Sequence, residues 1–398
     1  MKKVLYVTGS RAEYGIMKRL LLKLNEDKDI ELTIVATAMH TDKKYGETYK
    51  VIEEDGLKVN KLIDIEVDNS NNKKVIDSMA ICLQKFGQYL FEKSFDAVML
   101  LGDRYEILSV AIAAAMHNIP IIHLHGGEIT LGNYDEFIRH SITKMSKLHL
   151  VSTEEYKRRV IQLGENPKFV HNIGSLGAEN SFKLKLLDKK ELIKRLNITD
   201  ITEKEYFLIV FHPETVTGND IEKQTRNLLE ALDLFKKEYN FIFIGSNSDT
   251  GSDVIYRLFY DYTLENNYKF LTSVKPEEYL SLIKYSKGLI GNSSSGLIEV
   301  PSFGIPTLNI GDRQKGRVRG KSVIDVSIDK EEIKNGIVKM LDEKFRNIVK
   351  SEKNPYIQEN SLEKAYQIIK NFLFSDEIKE IKEFFDINLK NFEEQIKC

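Results

Sequence analysis

The chain contains no tryptophan, 2 cysteines and 7 prolines in 398 residues. Two cysteines, Cys82 and Cys398, exclude a disulfide-stapled scaffold and a cysteine-rich metal site. An excess of one charge is missing too. The 58 Lys+Arg against 60 Asp+Glu leave a formal net charge of −2, too balanced for a protein that coats nucleic acid. Long apolar runs are absent: the alanine-rich stretch offers only Val110–Met116, far short of the ~20 residues that cross a bilayer. Met1–Val7 enters a strand pattern directly, with no apolar leader segment, so no signal peptide is expected. There is no solenoid period and no low-complexity tract. What is present, 42% hydrophobic and 30% charged residues, is the composition of a folded globular chain. At ~150 residues per domain the length fits two or three domains. These features together point to a cytoplasmic enzyme or binding protein.

The first half alternates short apolar runs with amphipathic stretches. Residues 4–7, 32–37, 97–101, 119–123 and 148–151 read as strands, and 16–26, 73–92, 104–117, 136–146 and 153–163 as helices. Unbroken apolar strands alternating with helices imply βαβ units and a parallel sheet covered on both faces. The pattern breaks near 175–200 and then restarts. Its second series has strands at 207–211, 241–245, 269–272, 288–291 and 306–310, and helices at 220–237, 252–266, 275–286, 296–303 and 329–342. The expected fold is therefore two α/β domains in tandem, 1–180 and 181–359. Beyond them, 360–398 carries Ile378, Ile381, Phe384, Phe385, Leu389, Phe392 and Ile396 at helical spacing. That stripe reads as a packed amphipathic helix returning to the first domain, with a partner or membrane helix as the alternative.

In open parallel sheets ligands bind beyond the carboxyl ends of the strands, so reactive residues there carry the functional signal. The first strand ends in Gly9-Ser10-Arg11-Ala12-Glu13-Tyr14-Gly15, which is not a dinucleotide fingerprint. Arg11 either meets an anionic ligand or belongs to an ordinary βα turn, and Glu13 would repel a phosphate at that helix start. Gly102-Asp103-Arg104 offers Asp103 as a general acid or base, or as a helix cap. His123-Leu124-His125-Gly126-Gly127-Glu128, with Asp135 and Glu136 downstream, gathers five titratable groups. They read as acid–base chemistry, a hydrogen-bond network or a metal site, although the spacing matches no zinc motif. His212, before Pro213, sits at a strand tip, and Asn247 lies in a polar loop suited to hydrogen bonding.

Gly291-Asn292-Ser293-Ser294-Ser295-Gly296 opens a helix with free N–H groups and hydroxyls, as an anion site does, with Glu299 placed for ribose hydroxyls; a serine-capped helix is the alternative. Arg313 leads a basic loop, 311–321, that neutralises a diphosphate, contacts nucleic acid or is simply solvated.

Taken in order, these motifs, with Ile138-Arg139-His140-Ser141-Ile142-Thr143-Lys144 and Gly311-Asp312-Arg313-Gln314, resemble the hydrolysing UDP-N-acetylglucosamine 2-epimerases across essentially the whole chain. The resemblance implies two Rossmann-like domains of the glycosyltransferase-B type, with the active-site cleft between them, and a homodimer. It implies conversion of UDP-N-acetylglucosamine and water to N-acetylmannosamine and UDP, of the kind that feeds sialic acid capsules, with no metal and no redox cofactor. By position, Asp103, Asp135 and Glu136 match catalytic carboxylates. His125 falls where many relatives carry a glutamate, so its task is done by imidazole or passes to Glu128. Arg11, Arg104, His212, Asn247, Ser293, Ser294, Ser295, Glu299 and Arg313 match the nucleotide and diphosphate side. The resemblance implies elimination of UDP to a 2-acetamidoglucal, then hydration. Ala12 and Arg104 depart from the non-hydrolysing enzymes and favour the hydrolysing branch. Competing readings are a hydrolysing epimerase for a 2,4-diacetamido-6-deoxy sugar nucleotide, a glycosyltransferase, and a non-catalytic UDP-sugar-binding regulator.

Overall fold

The computed structural model describes residues 1–198, 204–214, 220–245 and 249–387. Two parallel sheets organise it. The first comprises β1 (Lys2–Thr8), β2 (Ile30–Thr37), β3 (Val59–Ile63), β4 (Ala97–Leu101), β5 (Ile121–Leu124), β6 (Leu148–Val151) and β7 (Val170–Asn172). Their spatial order is β3-β2-β1-β4-β5-β6-β7. The second comprises β8 (Tyr206–Val210), β9 (Asn240–Ile244), β10 (Lys269–Leu271), β11 (Leu289–Gly291), β12 (Thr307–Ile310) and β13 (Val323–Val326), in the order β10-β9-β8-β11-β12-β13. Every pairing is parallel. The order reverses between β1 and β4, and again between β8 and β11. These are the switch points at which a crevice opens beyond the strand ends.

The central strands are apolar on both faces because helices cover both. In β1, Val4 and Tyr6 pack into one core and Leu5 and Val7 into the other. Three strands have no counterpart in the sequence reading: β3, β7 and β13. Each is a sheet edge. In β3 only Ile63 is buried, so its sequence lacks the unbroken apolar run of a central strand.

After the second sheet the chain returns to the first domain. Helix Ser361–Phe374 buries Ala365, Ile369, Phe372 and Leu373 beside Leu20 and Leu24 of helix Arg11–Glu26. Tyr366 Oη donates to Asp27 at 2.6 Å and Lys370 Nζ lies 2.8 Å from the same carboxylate. The expected helical stripe beyond this point is not realised in the described residues. One 3-10 turn, Asp376–Lys379, buries Ile378, and 381–387 are not helical, with Ile381 87% exposed and Phe384 62% exposed. Polar tethers set that course: Lys147 caps the carbonyls of Glu377 and Glu380, Lys382 bonds Lys144 O and Ser146 O, and Phe385 N–H donates to Gly164 O. Leu389, Phe392 and Ile396 lie outside the described residues. Among the described residues no helix is long and apolar enough to cross a membrane.

Candidate active site

A cavity of about 290 Å³ lies between the carboxyl ends of the two sheets. Its first-domain wall begins after β1. Ser10 Oγ accepts from Glu13 N–H, and the Glu13 carboxylate accepts from Gly9 N–H and Ser10 N–H at 2.7 and 3.1 Å. This capping box uses Glu13 to close the helix start. Arg11 is left lining the cavity, its guanidinium lowered to about 10 by burial against the opposing pull of Glu278.

Asp103, after β4, does not cap the following helix, whose N-cap is Arg104 without a side-chain capping bond. Its carboxylate pairs with the buried Arg139. Arg139 also donates to Glu128 O at 2.8 Å and Thr130 Oγ1 at 2.9 Å. Arg104 Nε donates to the fully buried Glu106 at 2.6 Å, and its guanidinium lies 3.7 Å from Asp249 of the second domain.

His125, after β5, has φ +64°, a left-handed conformation uncommon outside glycine. Its Nδ1 lies 3.2 Å from Glu128 Oε1, and its buried Nε2 has no hydrogen-bond partner among the described residues. His123 is structural: its ring nitrogens meet Gly102 O at 2.8 Å and Thr143 Oγ1 at 3.2 Å. Among the described residues no group of three His, Cys, Asp or Glu side chains is arranged to hold a metal ion.

Asp135 lines the cavity, but Glu136 does not. Glu136 accepts from Thr130 N–H at 2.5 Å and pairs with His140 at 3.2 Å. Adjacent residues of a helix point about 100° apart, so only one of this acidic pair faces the cleft. Asp135 accepts from Asn133 Nδ2 at 3.0 Å and faces Arg313 at 3.7 Å. Burial and the neighbouring Asp249 raise its pKa, against Arg313, Arg104 and Arg317.

The second-domain wall is fixed by Asn292. Its side chain accepts from His212 N–H at 2.7 Å and donates to His212 O at 2.8 Å. Burial, then Arg313 and Arg104, push the His212 imidazole well down, so it is neutral. Ser293, Ser294 and Ser295 line the cavity, and Tyr279 Oη donates to Ser295 Oγ at 2.9 Å. The helix they open, Ser295–Ile298, has only four residues, and Glu299 stands at its C-terminal cap rather than one turn inside a longer helix. Hydroxyl and backbone N–H donors therefore matter more here than a helix dipole.

The basic loop after β12 is held by Glu214, which accepts from Asp312 N–H and Arg313 N–H at 2.6 and 3.2 Å. It is less solvated than expected. Arg313 and Arg317 are both buried at the cleft, and Arg319 pairs with Asp325; Lys315 is 62% exposed.

The fold thus brings together Arg11, Asp103, Arg104, His125, Glu128 and Asp135 from one domain with His212, Ser293, Ser294, Ser295, Glu299 and Arg313 from the other. Asn247 lies outside the described residues. Arg139, Asp249, Tyr279 and Arg317 also line the cavity, and the sequence reading missed them as site residues. Arg139 carried a usable signal: it is a cation on the buried face of the helix Asp135–Met145, beside Ile138 and Ile142.

Glu299 reaches across the interface. A Cβ on Gly177 of the first domain would fall 2.4 Å from Glu299 Oε1, so glycine makes room for this carboxylate. Burial raises Glu299 to about 7, against Ser295 and His125. Its value in the unfolded chain is ~4.3. The folded form therefore holds this proton more tightly, and the associated stability, complete below ~4.3, is lost as pH rises through 7. Glu299→Gln is expected to stabilise the ligand-free protein at pH 8, by at most about 4 kcal/mol, with no gain at pH 4. Thermal melts at both pH values check this; an equal gain at pH 4 contradicts it.

Fold and cleft define a two-domain α/β enzyme in which acid–base groups of one domain face anion-binding donors of the other. Residues 22–370 match the model of the UDP-N-acetylglucosamine 2-epimerase family, and the chain belongs to that family. It is 56% identical over 387 residues to polysialic acid biosynthesis protein P7 of Escherichia coli, covering 97% of this chain and 98% of the relative. It is 41% identical to the hydrolysing GDP/UDP-N,N'-diacetylbacillosamine 2-epimerase of Campylobacter jejuni, covering 82% of this chain and 85% of that one. The structure of UDP-GlcNAc 2-epimerase from Neisseria meningitidis bound to UDP-GlcNAc superposes with a TM-score of 0.77. It covers 93% of this chain and 100% of that one at 18% identity, a likeness of fold.

Proposed function

We propose that this chain hydrolyses and epimerises UDP-N-acetylglucosamine, giving N-acetylmannosamine and UDP for sialic acid synthesis, as a cytoplasmic homodimer of two domains, 1–180 and 181–359. The observation that carries the reading is the pairing of walls across one cavity. Asp103, His125 and Asp135 face the serine turn, Glu299 and Arg313. The relative at 56% identity supports the pathway.

In this reading the C2 proton leaves to a base of the first-domain wall. The C2–H electrons form the C1=C2 bond of 2-acetamidoglucal, and the C1–O electrons depart with UDP. Arg313, Ser293–Ser295 and neutral His212 stabilise the diphosphate as its charge develops. Glu299 serves the ribose. Water then adds at C1 while C2 is protonated from the opposite face, which inverts C2. Asp103, His125 and Asp135 share these proton transfers.

Product formed in D₂O is expected to carry deuterium at C2, read by NMR or mass spectrometry; protium alone at C2 contradicts the elimination. The same assay with a UDP-2,4-diacetamido-6-deoxy sugar tests the second reading, which the Campylobacter relative favours. Preferred turnover of that sugar would replace the substrate named here.

A further inference from the structure

Glu128 lines the cavity, yet donors occupy both of its oxygens. Oε1 accepts from Ser152 Oγ at 3.0 Å and lies 3.2 Å from His125 Nδ1. Oε2 lies 2.9 Å from Arg317 Nη2. The side chain is 2% exposed. Burial would raise its pKa, but Arg317, then His125 and Ser152, outweigh burial and hold it at about 2. An ionised carboxylate only accepts hydrogen bonds, so the imidazole nitrogen facing it must be the one that carries hydrogen. In a neutral ring the lone pair then sits on Nε2. That atom is buried and has no partner among the described residues, and His125 lines the cleft. The left-handed backbone at His125 is a second sign that the ring is held in place at a conformational cost.

Arg317 belongs to the second domain. Its Nε also donates to Ile129 O at 3.2 Å. This seam is tight: a Cβ on Gly132 would stand 2.9 Å from the Asp312 carbonyl. The cation on Glu128 is therefore in place only while the loop after β5 and the loop after β12 are packed together.

We infer that Glu128 is a positioning residue: together with Arg317 from the opposite domain it fixes the His125 proton on Nδ1, and so presents the Nε2 lone pair to the sugar when the cleft is closed. Glu128 does not itself exchange protons with substrate. Domain closure sets the base, because the Arg317 cation that keeps Glu128 ionised arrives with the second domain. The inference rests on the proposed reaction only for what the lone pair acts on.

The test uses the full chain labelled with ¹⁵N-histidine and saturated with UDP. His125 is assigned by the resonance lost in His125→Gln. Long-range ¹H–¹⁵N spectra are expected to show the Nδ1–H form. Glu128→Gln is expected to shift the ring to Nε2–H or a mixture. It should lower kcat on UDP-N-acetylglucosamine by ~100-fold while the UDP inhibition constant stays within about threefold. Arg317→Gln should move both readouts in the same direction. An Nε2–H ring in the UDP-bound wild type, or an unchanged kcat in Glu128→Gln, overturns the inference. The wild-type spectrum decides it even if a variant fails to fold. Absence of turnover by the wild type removes the proposed reaction instead, and leaves the tautomer reading standing on its own.

Discussion

Asp103→Asn is expected to lower kcat on UDP-N-acetylglucosamine by ~10³-fold or more, near the upper end of what one general acid–base group contributes. The change is nearly isosteric, so it removes charge and basicity without opening a cavity. Arg139 loses an ionic partner but keeps Glu128 O and Thr130 Oγ1, so the wall should persist. In the proposed arrangement UDP lies against the opposite wall, so its affinity should change by less than about threefold. Steady-state kinetics, UDP calorimetry and a thermal melt separate these effects. Near-wild-type turnover would remove Asp103 from the chemistry. A collapse of the melt with loss of UDP binding would show that its pair with Arg139 is structural.

Arg313→Ala is expected to lower kcat/KM by ~10²–10³-fold, the range seen when one donor to a developing anion is deleted. The reason is that Arg313 serves two sets of groups. Its guanidinium lies 3.7 Å from Asp135 and 3.6 Å from Asp249, and it donates to Asn292 O at 3.3 Å. Without it two buried carboxylates face each other with less compensation, and Asp135, already raised by burial and Asp249, rises further. In the proposed reaction the departing diphosphate loses a cation at the same moment. UDP affinity should fall with kcat/KM, in contrast to Asp103→Asn. Arg313→Lys should recover part of the loss, because it restores charge but not the planar fork. Undiminished UDP binding in Arg313→Ala would remove Arg313 from the diphosphate site.

Much of the architecture was legible without coordinates. Central parallel strands covered on both faces are apolar over most of their length, and β1, β2, β4 and β5 in one sheet and β8, β9, β11 and β12 in the other read that way. The edge strands β3, β7 and β13 escaped because an edge buries less and its sequence carries no such run. Over residues 375–387 the apolar stripe misled for the opposite reason. Its apolar spacing suits a helix, yet Lys147, from elsewhere in the chain, and the bonds of Lys382 to Lys144 O and Ser146 O tether the backbone along a different course.

The candidate site follows the same division. Residues directly after strands, such as Asp103, His125, His212 and Arg313, were found because the rule that ligands bind beyond strand ends needs only sequence order. Arg139, Asp249, Tyr279 and Arg317 were not, since each reaches the cleft from a helix face or a loop position that periodicity does not single out. Glu136 looked as eligible as Asp135, and helix rotation alone turned it toward Thr130 and His140.

By itself, then, the sequence determined two parallel α/β domains, their joint cleft and the family, because these depend on hydrophobic period and on motif order along the chain. Tertiary structure alone decided that Glu128 is spent on His125 and Arg317, that Glu299 crosses to Gly177, and that Asp135 meets Asp249. The contacts with Arg317, Gly177 and Asp249 join residues from separate domains. Their charge states follow from burial and distance, which arise only once the two domains close on each other.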